Sequence, residues 1–247
     1  MNGSVQSIRS TERNRSCRPD VVAAACAVAL VAWNNVVLPR LGLGARGRAA
    51  ANGVAASGLC ALAVAGGVRA DELGWRRSAT GLRWGLAAST LPALAYPAIL
   101  AVPEVRSRMA AGARRADHTE WVFVHIPIGT VLAEELAFRS VLFALSRRAT
   151  PRWAIVVDAV AFGLWHVTPA RHAGDSVPGT VAFTAAASLL FDALRARSGS
   201  VLAPALLHLV VNAGGAVAAE TAAGRTVTGR SEDTSVSRVR RAIDGTG

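Results

Sequence analysis

Glu134 and Glu135 with Arg139, Phe162 with His166, and His208 with Asn212 stand inside stretches that are otherwise apolar. A carboxylate and two imidazoles can activate water, by direct proton transfer or by holding a metal ion. An Asn amide or an Arg guanidinium can steady the oxyanion that follows. At about 100° per helical residue, Glu134 and Glu135 project to different sides, while Glu135 and Arg139, four apart, stack on one another. Arg139 can then hold Glu135 fixed and leave Glu134 free to face a cavity. The same spacing puts Phe162 with His166, and His208 with Asn212, on shared helix faces. A helix–helix ion pair with a spare acid, and histidines packed by hydrogen bonds, are the plain alternatives for each pair taken alone. Two imidazoles, an amide and a glutamate pair on three separate helices are harder to explain as packing.

The elements that must carry these residues are membrane spans. Of the 247 residues, 52% are hydrophobic and 17% charged, unlike a soluble domain with a charged surface. A hydrocarbon core about 30 Å thick needs about 20 apolar helical residues. By that measure the candidates are 21–38, 49–68, 84–102, 121–145, 153–167, 179–194 and 201–219. The expected fold is all-α, a polytopic transmembrane helix bundle of about seven spans. Residues 153–167 form a short candidate whose end is blurred by the Pro and Gly that follow, so one span can be re-entrant. Residues 1–17 and 220–247 are polar and aperiodic and read as tails, the first cytoplasmic, flanking a helical domain at 18–219. An ionised side chain at mid-bilayer costs about 2.5–3.5 kcal/mol on insertion scales, so adjacent glutamates in a span point to function.

Every one of the 27 basic residues is arginine, and only Arg139 lies well inside a candidate span. The net charge of +11 is spread through the short loops beside membrane ends, where anionic headgroups attract it, so the expected partner is membrane lipid and not nucleic acid. With the C-terminal tail set aside, the arginine bias favours an N-terminus inside, and 21–38 reads as a signal anchor. The arginine-only, alanine-rich composition points to a GC-rich bacterial genome and an inner-membrane, multi-pass location. Cys17, Cys26 and Cys60 lie at no metal-ligand spacing and read as structural. Asp158 can orient an imidazole from its own helix. Asp192 beside Arg195 reads as an interfacial pair, and Gly81 with Gly85 as a helix-packing motif interrupted by Arg83. The segment 70–77 is expected to lie along the interface.

Taken in order, Glu134-Glu135-x-x-x-Arg139, Phe162-x-x-x-His166 and His208-x-x-x-Asn212 resemble the CAAX protease and bacteriocin-processing (CPBP) family, which includes the type II CAAX prenyl endopeptidases. The run Ser198–Pro204 before His208 is similar to that family's entry to its last motif, and the resemblance covers about residues 120–215. It implies an intramembrane endopeptidase acting on a membrane-proximal peptide or protein, with Glu134 as the base that activates water. Glu135 and Arg139 would support it, His166 and His208 would complete the site, and Asn212 would stabilise the tetrahedral intermediate, while Phe162 forms a packing wall. Two schemes follow from it. In one, zinc is held by His166, His208 and Glu134, as in a metalloprotease; in the other, glutamate works without metal. A non-proteolytic immunity or regulatory module that binds a peptide or partner helix is the alternative, and a proton-relay transporter a further one. No H-E-x-x-H, G-x-S-G or G-x-G-D signature of other intramembrane proteases is present.

Overall fold

A computed structural model of the protein describes residues 18–110 and 115–244, with side chains described as far as Gly224. The expected tail at 1–17, with Cys17, lies outside the described residues. The chain is all-α, with no strand among the described residues. Helix α1 spans Pro19–Arg40, α2 Ala45–Ala65, α3 Ser78–Ala101 and α4 Pro103–Ala110. Helix α5 covers residues 118–149. Then come α6 Ala154–Trp165, α7 Val167–Ala173, α8 Val177–Ser198 and α9 Leu202–Asp244. Helix α9 continues past residue 219, where the sequence placed the end of the helical domain.

Local chemistry sets these boundaries. Pro19 opens α1, where a missing N–H costs nothing, and Asp20 complements the positive end of the helix. Ser176 caps α8 by accepting the Gly179 N–H at 3.3 Å, and Gly199, at φ 67°, ends the helix in the left-handed region. Helix α5 carries two wide π-wound segments, Trp121–Leu132 and Glu135–Leu142, and Pro127 removes one backbone donor within the first.

Polarity is inverted relative to a soluble protein. Leu91, Val54 and Phe123 are 78%, 73% and 75% exposed, whereas Arg139, Asp158 and Asp192 are sealed at 0%. Apolar residues that face outward on this scale require a lipid solvent. The helices α1, α2, α3, α8 and the first half of α9 (Leu202–Gly224) are each long and apolar enough to cross a membrane. The other two candidates are not among them: 121–145 lies in the π-wound helix, and α6, with 12 residues, reaches only about 18 Å. Five spans are therefore supported by length and apolarity, and the expected seven are not.

The main core gathers Cys26, Leu30, Cys60, Leu73, Phe138 and Trp165 from α1, α2, α5, α6 and the segment before α3. That segment does more than lie along the interface. Leu73 is fully buried, and its carbonyl accepts the Ser140 hydroxyl at 2.8 Å. The Glu72 carboxylate takes two 2.7 Å hydrogen bonds from Arg148, which outweigh its partial burial and hold its carboxyl down at about 2. Gly74 sits at φ +80°, and a Cβ there would meet the Arg195 guanidinium at 2.6 Å, so only glycine lets this turn close over it.

Small residues bring helices into contact near the polar centre. Gly81 and Gly85 face the turn before α9 and its first residues, where added Cβ atoms would run into Ser200 and Leu206, while Arg83 is exposed on another side. The interruption expected from Arg83 therefore does not arise, because it points away from the packed face. At Gly129 of α5, a Cβ would stand 2.6 Å from the Ala49 Cβ and 2.8 Å from its Cα, so the α2 backbone would have to move. Gly129→Ala should cost about 1–3 kcal/mol through overpacking, read as a lowered thermal midpoint in detergent. Gly53→Ala, with nothing within 4 Å of the new methyl, should show no loss.

Candidate active site

Arg139 is the cation around which the interior polar groups collect. Its Nη1 lies 3.7 Å from Glu135 Oε1, its Nε lies 3.3 Å from Asp192 Oδ1, and its Nη2 donates to Ser188 Oγ at 2.8 Å. Ser188 in turn donates to Asp192 Oδ2 at 3.2 Å. The guanidinium carbon lies 4.1 Å from the Phe162 ring centroid and 5.0 Å from that of Phe191, so aromatic faces cover what the acids leave. Phe162 is thus a packing wall, as expected. Asp192 is no interfacial residue: it is sealed against Arg139, one helix away. Its neighbour Arg195 is also buried, with Nε donating to the Arg139 carbonyl at 3.0 Å and Nη2 to the Glu72 carbonyl at 2.7 Å. The periodicity of α8 places Ser188, Asp192 and Arg195 on one face, a signal that the i, i+4, i+7 spacing carries in the sequence.

Glu135, fixed by Arg139, passes order to His208. His208 Nδ1 lies 2.8 Å from Glu135 Oε1, and because a carboxylate only accepts, Nδ1 carries the hydrogen. Nε2 then holds the lone pair, and Asn212 Nδ2, one turn on, donates to it at 3.1 Å. The imidazole stacks on Phe191 with centroids 5.0 Å apart and planes at 24°. Four of the expected residues, Glu135, Arg139, His208 and Asn212, form one connected chain.

Glu134 projects elsewhere. Its Oε1 accepts the Trp165 indole N–H at 3.1 Å, and its Oε2 has no hydrogen-bond partner. That oxygen stands 3.9 Å from His208 Nε2, too far for a direct bond. Glu134 also lines a cavity of about 410 Å³ together with Trp165 and His166.

His166 reaches that cavity from a break between helices. Helix α6 ends at Trp165 with His166 as its C-cap, and the Phe162 and His166 rings still meet on one face as expected, with centroids 4.7 Å apart. Pro169 cannot supply the N–H that would extend it, and the last carbonyls of α6 find other donors. Asn34 donates to Trp165 O and Asn35 to Leu164 O, both at 2.9 Å, while Asn35 Oδ1 accepts the Thr168 N–H at 2.7 Å. Both asparagines come from a π-wound turn of α1, Trp33–Val37. His166 Nδ1 donates to the Phe162 carbonyl at 2.7 Å, which leaves Nε2 with the lone pair. Asp158 does not orient it: Asp158 is fully buried and neither of its oxygens has a hydrogen-bond partner. Asn34, Asn35 and Trp165 escaped the sequence reading. The only signal was two adjacent amides inside an apolar span.

The donor set expected for zinc has suitable chemistry, since each imidazole has Nδ1 held by oxygen and Nε2 free of hydrogen. Its placement is a different matter. Among the described residues no three His, Cys, Asp or Glu side chains stand close enough to share an ion, and Asn212 occupies His208 Nε2. As placed, Glu134, His166 and His208 do not form a metal cluster, and no step below runs through one.

Removing Asp192 strands Arg139 in a dry interior. Asp192→Ala should destabilise the fold by about 3–5 kcal/mol, measured by thermal or denaturant unfolding in detergent, and Asp192→Asn by less, because an oxygen remains for Ser188 and Arg139.

Residues 117–214 match the family model described as type II CAAX prenyl endopeptidase Rce1-like. No curated protein and no solved structure matches the chain. The matched span holds Glu134, Glu135, Arg139, Phe162, His166, His208 and Asn212, and agrees with the 120–215 expected from the motifs. The apolar outward faces and the five long apolar helices place that domain in a multi-pass membrane protein. Over residues 117–214 the chain is therefore similar to the Rce1-like type II CAAX prenyl endopeptidases, in keeping with the resemblance carried by its motifs.

Proposed function

We propose that this protein is an intramembrane endopeptidase in which Glu134 activates water against a peptide bond of a membrane-proximal peptide or protein. The observation that carries the reading is Glu134 Oε2: a buried carboxylate oxygen without a partner, on a carboxylate that lines a cavity, 3.9 Å from an imidazole nitrogen. Glu135 and Asp192 also keep a bare oxygen, but both stand against Arg139, and neither lines the cavity.

The residues divide the work. Glu134 Oε2 takes one proton from water, and the hydroxide adds to the scissile carbonyl carbon. The His166 Nε2 lone pair accepts the water's other hydrogen and fixes its direction. Trp165, donating to Oε1, keeps the carboxylate from rotating. The oxyanion is met by the Asn212 amide, which His208 now holds one turn away. When the C–N bond breaks, the proton carried by Glu134 passes to the leaving amine, and the glutamate returns to its starting state. Glu135 and Arg139 stay out of the proton path and keep His208 in the tautomer with Nδ1–H.

Host membranes containing wild-type or Glu134→Gln protein at matched levels can be compared by mass-spectrometric mapping of new peptide termini. Termini found only with wild type are expected, and His208→Ala should lose them by at least about a hundredfold in rate. Cleavage should survive strong chelation, since the proton path uses side chains alone. Equal maps for wild type and Glu134→Gln would overturn the glutamate mechanism. Activity lost on chelation and restored by zinc would show that the donors regroup around an ion.

A further inference from the structure

The cavity has a second polar end that the proposed hydrolysis does not use. Helix α2 begins there: Ala45, Arg48 and Ala49 line the same cavity as Glu134 and His166. The α2 N-cap is Gly44, with no side-chain hydrogen bond to the first turn. Arg48 N–H is the first to find an intrahelical acceptor, Gly44 O at 2.9 Å, so the amides before it lack one.

The acids near this end are already committed. Arg46 binds Glu120 through both oxygens, Nε to Oε1 at 2.6 Å and Nη2 to Oε2 at 2.9 Å. His125 Nε2 shares Oε1 at 3.2 Å. Arg48, half-buried and facing the cavity, has no ion pair or side-chain hydrogen bond among the described residues. His125, a lining residue of the cavity, is 4% exposed, and its Nδ1 has no hydrogen-bond partner. A guanidinium, an uncapped helix start with its partial positive charge, and an orphaned buried imidazole nitrogen therefore converge on one end of the cavity. Gly129 lets α2 pack closely at Ala49 against α5, which carries Glu134.

We infer that this end is a carboxylate subsite: the substrate carries a carboxylate that Arg48 binds, in part bidentately, while Glu134 works at the other end. Arginine presents a planar fork of donors that matches a carboxylate and keeps its charge at every accessible pH. His125 Nε2 donates to Glu120, so Nδ1 holds a lone pair that can accept a peptide N–H of the substrate beside that carboxylate. The carboxylate can be the C-terminus of the substrate or an acidic side chain, which offer the same two oxygens. This subsite rests on reading the cavity as the substrate site, but it makes its own demand on binding.

Binding can be separated from hydrolysis by using the full chain with Glu134→Gln in lipid nanodiscs. Isothermal titration would compare two pairs of capped probes: acetyl-Ala-Ala-Ala with a free carboxylate against its amide, and acetyl-Ala-Glu-Ala-amide against its Gln counterpart. At least one acid is expected to bind about tenfold or more tightly than its neutral partner. Arg48→Gln should erase that preference and Arg48→Lys should keep part of it, with thermal midpoints showing that both variants fold. Preference in the first pair identifies a C-terminal carboxylate, and preference in the second an acidic side chain. No difference within either pair, including no binding of any of the four, overturns the proposal, as does a preference that persists in Arg48→Gln. An acid preference that depends on Arg48, found alongside unchanged termini maps for Glu134→Gln, would keep the subsite and reject hydrolysis.

Discussion

A guanidinium with no access to water must be surrounded, and the rest of this interior follows from that demand. Arg139 is sealed, and its partners come from three helices: Glu135 from its own, Ser188, Asp192 and the Phe191 face from α8, and the Phe162 face from α6. Buried charge of this kind contributes little net stability, because desolvation offsets the attraction, but it is intolerant of misplacement. Its effect here is geometric. Glu135 is pinned between Arg139 and His208, so the register of α5 against α8 sets the tautomer of an imidazole on α9. Arg195 extends the same constraint outward, bonding the Arg139 carbonyl and the Glu72 carbonyl and tying the segment before α3 to the polar centre.

A second constraint governs the other histidine. Helix α6 is too short to cross the bilayer, and its exposed carbonyls cannot be left bare at that depth. The amides of Asn34 and Asn35 satisfy them and so fix the break at which His166 projects. The two imidazoles are held by unrelated means, a carboxylate for one and a backbone carbonyl for the other, yet both finish with Nδ1 occupied as a donor and Nε2 as the acceptor. The wide turns of α1 and α5 lie on either side of this cavity, consistent with the tendency of such turns to occur where a helix must re-aim side chains.

What could be read from the sequence divides along the same lines. Glu134, Glu135, Arg139, His208 and Asn212 were legible because ionisable groups stand out in apolar runs and i, i+4 spacing predicts their contacts, as at Glu135–Arg139 and His208–Asn212. Contacts between distant segments were not. Nothing in the local pattern ties Asn35 to Thr168, 133 residues on, and an indole in an apolar stretch gives no sign that it will bind a carboxylate. Asp192 was misassigned because it sits near Arg195 in sequence, although its partner in space is Arg139. Five helices meet the length and apolarity of a span where hydropathy suggested about seven, because hydropathy does not register helix ends or π winding, which shorten or rearrange α6 and α5.

Four carboxylates lie buried in the same interior: Glu134, Glu135, Asp158 and Asp192. Proximity to a cation cannot select the reactive one, since Glu135 and Asp192 both flank Arg139 and are consumed by it. Burial cannot either, since Asp158 is sealed and touches no donor. Access decides. Only Glu134 of the four lines the cavity, and only it combines one oxygen held by an indole with another left open. Adjacent glutamates would compete for one role in a uniform environment. The two sides of α5 differ, one dry and facing Arg139, the other facing the cavity, so a single peptide bond separates an orienting acid from an accessible one. Adjacency is therefore the feature that lets one helix serve both the buried ion cluster and the reacting face.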